Sequence, residues 1–124
     1  MSGRKMTYLT DVALITCIVQ RGMGDTIVHA AQEAGAQGAT VYYAKGSGVR
    51  ERLGMLGVAV EVEKEVVNII CSSGQKEMVF NSVYLAVQLD TPGMGIAYIT
   101  PLDKAATYIP QDVLDRLEQK QEGS

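Results

Sequence analysis

Two short glycine pairs are the stretches of this sequence best suited to chemistry, Gly46-Ser47-Gly48 and Gly93-Met94-Gly95. Glycine takes positive φ without steric cost and lets backbone approach an anion closely, so successive amides there can form an anion-holding concavity. The same glycines would also serve as plain turns, and residue type alone does not choose between the two. Other chemistry is sparsely provided. His29 is the single histidine and falls in mid-helix near an apolar face, the place of a packed or partly exposed side chain. Cys17 and Cys71 each sit inside an apolar run, where free buried thiols are expected; a metal would need both to converge with His29, and no metal site is expected. Glu61, Glu63 and Glu65 alternate along an extended segment, share one face and read as a solvated strand edge. No carboxylate pair or nucleophile–histidine set stands at a recognisable spacing, so no catalytic residue is assigned and an enzyme is not expected.

The chain has 124 residues, a formal net charge of −3 and a sequence pI near 5.1. That length suits one domain with a modest core. The balance leaves no basic surplus for nucleic acid. Val12–Val19 is too short to span a membrane and the first residues are polar, so no membrane insertion and a cytoplasmic location are expected.

The elements that must position these residues follow from hydrophobic periodicity. Val12–Val19 reads as a central strand, followed by a helix capped by Asp25 or Thr26 with Ile27, Ala30, Ala31 and Ala34 on one face and Gly35 as its stop. Thr40–Ala44 forms a second strand and Val66–Cys71 a third. A helix capped by Ser73 runs from Gln75 to Leu89, its apolar face carrying Met78, Val79, Val83, Ala86 and Leu89. The glycine loop Asp90–Gly95 feeds a fourth strand, Ile96–Thr100, and a polar tail helix covers Gln111–Lys120. The order predicts an α+β fold: ferredoxin-like βαββαβ, a four-stranded antiparallel sheet with two helices on one face, plus a short C-terminal helix. Residues 1–124 are expected to form a single domain with a core over about 11–109, an N-terminal extension over 1–10 and a tail over 110–124. The sheet face without helices must meet something apolar, and a partner subunit is the usual answer.

Between strands two and three lies Ala44–Gly57 (AKGSGVRERLGMLG), with four glycines and two arginines in fourteen residues, far longer than a hairpin turn requires. Its first half, with Gly35–Val41 (GAQGATV) and Pro92–Pro101 (PGMGIAYITP), resembles the PII signalling protein superfamily in order and spacing, over roughly residues 12 to 105. The likeness is closer to short PII-like proteins than to nitrogen-regulatory PII proper.

The resemblance implies a homotrimer that binds an adenine nucleotide in clefts between subunits and regulates a target protein, a transporter or metabolic enzyme, through its long T-loop. It assigns Gly46, Ser47, Gly48, Val49 and Arg50 to the T-loop base, and Gly93, Met94 and Gly95 to the glycine-rich B-loop. Gly38, Ala39 and Thr40 become an adenine-facing edge supplied by a neighbour, with Lys64 and Asn68 near further contacts. Arg52, Leu53, Met55 and Leu56 are the candidate partner-binding tip, or packing residues of the free trimer.

The chain also departs from that family pattern. Ile96, Thr107 and Ile109 stand where ATP-holding relatives carry basic residues, leaving Lys45, Arg50, Arg52, Lys64 and Lys104 as the nearby cations. A triphosphate needs charge-assisted contacts, so ADP or AMP is expected to fit at least as well as ATP. The loop between Gly46 and Val62 contains no tyrosine, so tyrosine nucleotidylation there is not expected, and Tyr42 and Tyr43 read as packing residues. Val49-Arg50 replaces the glutamine-site features that accompany 2-oxoglutarate sensing. A structural trimer without nucleotide sensing, or a metal-binding trimer of the CutA-like kind, are the alternatives.

Overall fold

A computed structural model describes residues 6–46 and 62–122. The element order is β1 (Val12–Gln20), α1 (Gly24–Glu33), β2 (Ala39–Gly46), β3 (Val62–Ser72), α2 (Lys76–Ala86), β4 (Gly95–Leu102) and α3 (Gln111–Glu122). The four strands form one sheet in the order β2-β3-β1-β4, and every neighbouring pair is antiparallel. This is the ferredoxin-like arrangement expected from the element order. Strands β1 and β3 take the centre, where both of their edges are hydrogen-bonded to neighbouring strands.

Register sorts side chains by parity, because successive residues of a strand point to opposite faces. Leu14 faces Ile70 and Thr100 across the sheet, and Thr16 faces Asn68 and Tyr98. Their neighbours Ile15, Cys17 and Val19 point the other way with Val67 and Ile69, and are fully buried with Ile27 and Ala31 of α1 and Val79 and Val83 of α2. Helices α1 and α2 pack on that face and on each other. Both cysteines are free and buried. Burial pushes the Cys17 thiol up to about 11, since the thiolate cannot be solvated there. Cys71 is level with Ala13, four residues along β1 from Cys17, which places the two about 13 Å apart at strand rise.

Several boundaries differ from those expected. β3 begins four residues earlier than its apolar run, because Glu63, Lys64 and Glu65 all pair with β2, and Lys64 and Glu65 with β1 as well. Neither Asp25, Thr26 nor Ser73 caps a helix: the N-cap residues are Met23 and Gln75, with no side-chain cap bond. Both helices instead end in Schellman motifs. Gly35 (φ 107°) closes α1, with Gly35 N–H donating to Gln32 O and Ala36 N–H to Ala31 O, and Gln88 (φ 54°) closes α2 with the equivalent pair to Leu85 O and Tyr84 O. That left-handed Gln88 ends α2 earlier than its hydrophobic pattern suggests. Met78 is 61% exposed rather than in the core, because Val79, Val83 and Val87 form the inward stripe. The segment before β1 is tied down as well, since Leu9 and Ala105 exchange two backbone hydrogen bonds of 2.8 Å.

Candidate ligand-binding site

The sheet carries its two candidate regions at different heights. The lower one is an open recess of about 470 Å³ lined by Leu14, Gly38, Ala39, Thr40, Asn68 and Ile70. Thr40 and Asn68 are register partners, so the start of β2 is brought directly onto the middle of β3. The Thr16 hydroxyl donates to Asn68 Oδ1 at 2.9 Å, which directs the Asn68 amide hydrogens elsewhere. Leu14 and Ile70 give the recess two aliphatic walls, and Thr40 and Asn68 supply its polar side chains. Gly38, Ala39, Thr40 and Asn68 are thus brought together, and Leu14 and Ile70 join them; Ile70 lies two residues from Asn68 on the same face of β3, whereas Leu14 comes from β1, which sequence spacing does not link to the others.

The upper region is the sheet end where β1 and β2 finish and β3 and β4 begin. Gly46 pairs with Val62, Lys64 with both Ala44 and Gln20, and Gly95 with Val19. Gln20 Nε2 donates to the Gly93 carbonyl at 2.8 Å, tying the glycine loop to the end of β1. Gly93 (φ 85°) and Gly95 (φ 136°) both take left-handed backbone. A Cβ on Gly95 would overlap the Ile18 carbonyl, whereas one on Gly93 would meet open space. Gly95 therefore has a packing reason of its own, and Gly93 is the glycine whose surroundings leave room for a ligand. Met94 follows in a turn closed by its N–H donating to Thr91 O. Ser47, Gly48, Val49, Arg50, Arg52, Leu53, Met55 and Leu56 lie outside the described residues.

Between Thr40 and Gly46 run six residues of extended strand, roughly 20 Å. One chain therefore does not bring Gly38–Thr40 to the loop base and the glycine loop.

Three expectations about charged and aromatic residues need correction. Glu65 is not on a solvated edge: it is 6% exposed, accepts the Gly22 N–H, and lies so close to Gly24 that a Cβ there would collide with its carboxylate. Strand β3 faces the start of α1 at this level, so the carboxylate sits where the orphan amides and positive dipole end of the helix favour an anion. Glu63 is exposed and joined to Arg21 at 3.1 Å, while Glu61 lies outside the described residues. Tyr42 and Tyr43 are substantially exposed rather than packed away, and the Arg21 guanidinium lies 5.6 Å from the Tyr43 ring centroid. Lys104 belongs to the opposite end of β4, 4.7 Å over the Tyr8 ring, so it is not one of the cations near the glycine loop.

The remaining chemistry is plain. His29 is exposed and 3.1 Å from Glu33 one helical turn away. Among the described residues, no group of three His, Cys, Asp or Glu could hold a metal ion. No described helix is long and apolar enough to cross a membrane.

Comparison with known proteins agrees with this architecture. The model of the family described as nitrogen regulatory protein P-II matches residues 12–111. No curated protein sequence matches the chain. The fold is similar to the crystal structure of Arabidopsis thaliana PII bound to citrate, with TM-score 0.59 and 20% identity over 76% of this chain and 79% of that one.

Proposed function

This chain belongs to the nitrogen regulatory protein P-II family, and we propose that it acts as a non-enzymatic, cytoplasmic homotrimer that binds an adenine nucleotide between subunits and signals to a target protein through the loop following Gly46. The observation that carries this reading is the separation of the two candidate regions. The Gly38–Thr40 recess suits a base, with Leu14 and Ile70 as apolar walls and Asn68 as a polar contact. The other sheet end holds Gly46, Lys64 and Gly93–Gly95. A ligand that uses both sets needs two copies of the chain, with the edge of one facing the loop base of the other.

The open sheet face supports such an assembly. Tyr42 (46%), Ile70 (50%), Ile96 (57%) and Tyr98 (44%) form an exposed apolar surface around the Thr16–Asn68 pair, the kind of face that a further subunit covers. In this reading Ser47, Gly48, Val49 and Arg50 complete the ligand-facing base, and Arg52, Leu53, Met55 and Leu56 meet the target. Ligand binding shifts the loop only if the ligand prefers one loop state.

Calorimetric titration of the full chain with ATP, ADP, AMP and S-adenosylmethionine, paired with sedimentation, tests the proposal. Trimer-sized sedimentation with saturable binding of at least one adenine nucleotide is expected. A trimer that binds none of the four at millimolar concentration is a structural oligomer instead, and a monomer removes the shared cleft altogether.

A further inference from the structure

We propose that Arg21 is an anion-recognising residue of the upper region, held ready by Tyr43 and occupied by Glu63 until a phosphate-bearing ligand displaces the carboxylate. The inference rests on the nucleotide-binding reading above. Arg21 directly follows Gln20, whose side chain holds the Gly93 carbonyl, so the β1–α1 turn meets the glycine loop on one side. On the other side the Arg21 side chain reaches both strands that flank the loop, stacking over Tyr43 of β2 and pairing with Glu63 of β3. Two consecutive residues thus reach the glycine loop, β2 and β3.

Among the described residues Arg21, in the β1–α1 turn, is also the one arginine at this end of the sheet. The other described arginine, Arg116, lies on α3, paired at 3.2 Å with Asp112. Guanidinium presents a planar fork of N–H donors that matches phosphate, which the ammonium of Lys45 or Lys64 does not. Glu63 engages Nη1, one of the three nitrogens that share the five N–H donors of a guanidinium.

The pair is built to exchange. Its side chains are 66% and 45% exposed, and an ion pair so solvated contributes little to stability. A phosphate carries more charge than a carboxylate and accepts more hydrogen bonds, so it competes effectively for the same fork. The Tyr43 ring meanwhile keeps the guanidinium oriented, which lowers the ordering cost of the exchange. Displaced Glu63 sits at the root of the segment that begins after Gly46, so occupancy of Arg21 is read by the strand that carries the loop.

Titration of the full chain with ADP and, separately, with adenosine tests this in wild type, Arg21→Gln and Glu63→Gln. Arg21→Gln should weaken ADP about tenfold or more and leave adenosine unchanged, because a charge-assisted contact is lost only when phosphate is present. Glu63→Gln should tighten ADP a few-fold, because phosphate no longer competes with a carboxylate for the guanidinium. Equal weakening of ADP and adenosine would mean a purely structural role and overturn the proposal, as would ADP binding that Arg21→Gln leaves unaltered. Wild-type protein that binds neither probe overturns the nucleotide reading itself and this inference with it.

Discussion

The two faces of the sheet are made from similar residues and meet opposite fates. On one, Ile15, Cys17, Val19, Val67 and Ile69 are fully buried beneath α1 and α2. On the other, Leu14, Ile18 and Ile70 alternate with them along the same strands, yet Ile70 and Ile96 are half exposed. Each face also buries one polar side chain, Glu65 on the covered face and Thr16 on the open one. The covered face buries Glu65 against the start of α1; the open face places the Thr16–Asn68 pair between its apolar neighbours. Hydropathy sets the alternation, while the position of two helices sets which half becomes core. The open half is left with the composition of a core and without a covering helix among the described residues.

This contrast is breakable at single residues. Ile15→Ala empties a site with no solvent access and should cost about 2–5 kcal/mol in denaturant unfolding, through lost transfer and a residual cavity. Ile70→Asp, on the same level of the open face, should instead leave the circular dichroism unchanged and reduce the sedimenting mass to that of one chain; a mass that stays trimeric would show that this face is not the interface.

The covered face should also report on pH. With Cys17 raised from 9.0 to about 11, the folded state holds a proton that the unfolded state releases first. The contribution is therefore complete below pH 9 and fades as pH rises toward 11, by up to roughly 2–3 kcal/mol. Unfolding midpoints measured across that range should fall more steeply in wild type than in Cys17→Ala. Glu65→Ala comes next, with an expected loss of about 1–3 kcal/mol because the Gly22 N–H is left without its acceptor. Thermal melts check it, and the loss should persist in moderate salt since the carboxylate is shielded from solvent. The smallest effect belongs to neither face. His29→Ala removes a solvated one-turn pair with Glu33 and should shift stability by no more than about 0.5 kcal/mol.

Much of this molecule was legible from periodicity. The strand–helix order, the apolar stripe Ile27–Ala31 and the stop at Gly35 follow from side-chain spacing and from the φ that glycine tolerates, both local properties. The glycine loop was legible for the same reason, although the packing need at Gly95 depends on the Ile18 carbonyl of another strand. What spacing missed are residues whose environment comes from across the sheet. Glu65 reads as one of three alternating surface acids until α1 is laid beside β3. Arg21 reads as part of a turn until Tyr43 and Glu63 arrive beside it.

By itself, then, the sequence determined the element order, the alternation of every strand and the places where the chain can turn, because those depend on neighbours within a few residues. Only the tertiary structure decided which apolar half is covered, that Leu14 and Ile70 join Gly38–Thr40 in one recess, and that Gly46 and Gly93–Gly95 gather at another end of the sheet. Pairing register decides these, and register links residues far apart in the chain, from Gly46 and Val62 to Val12 and Leu102, that no local preference connects.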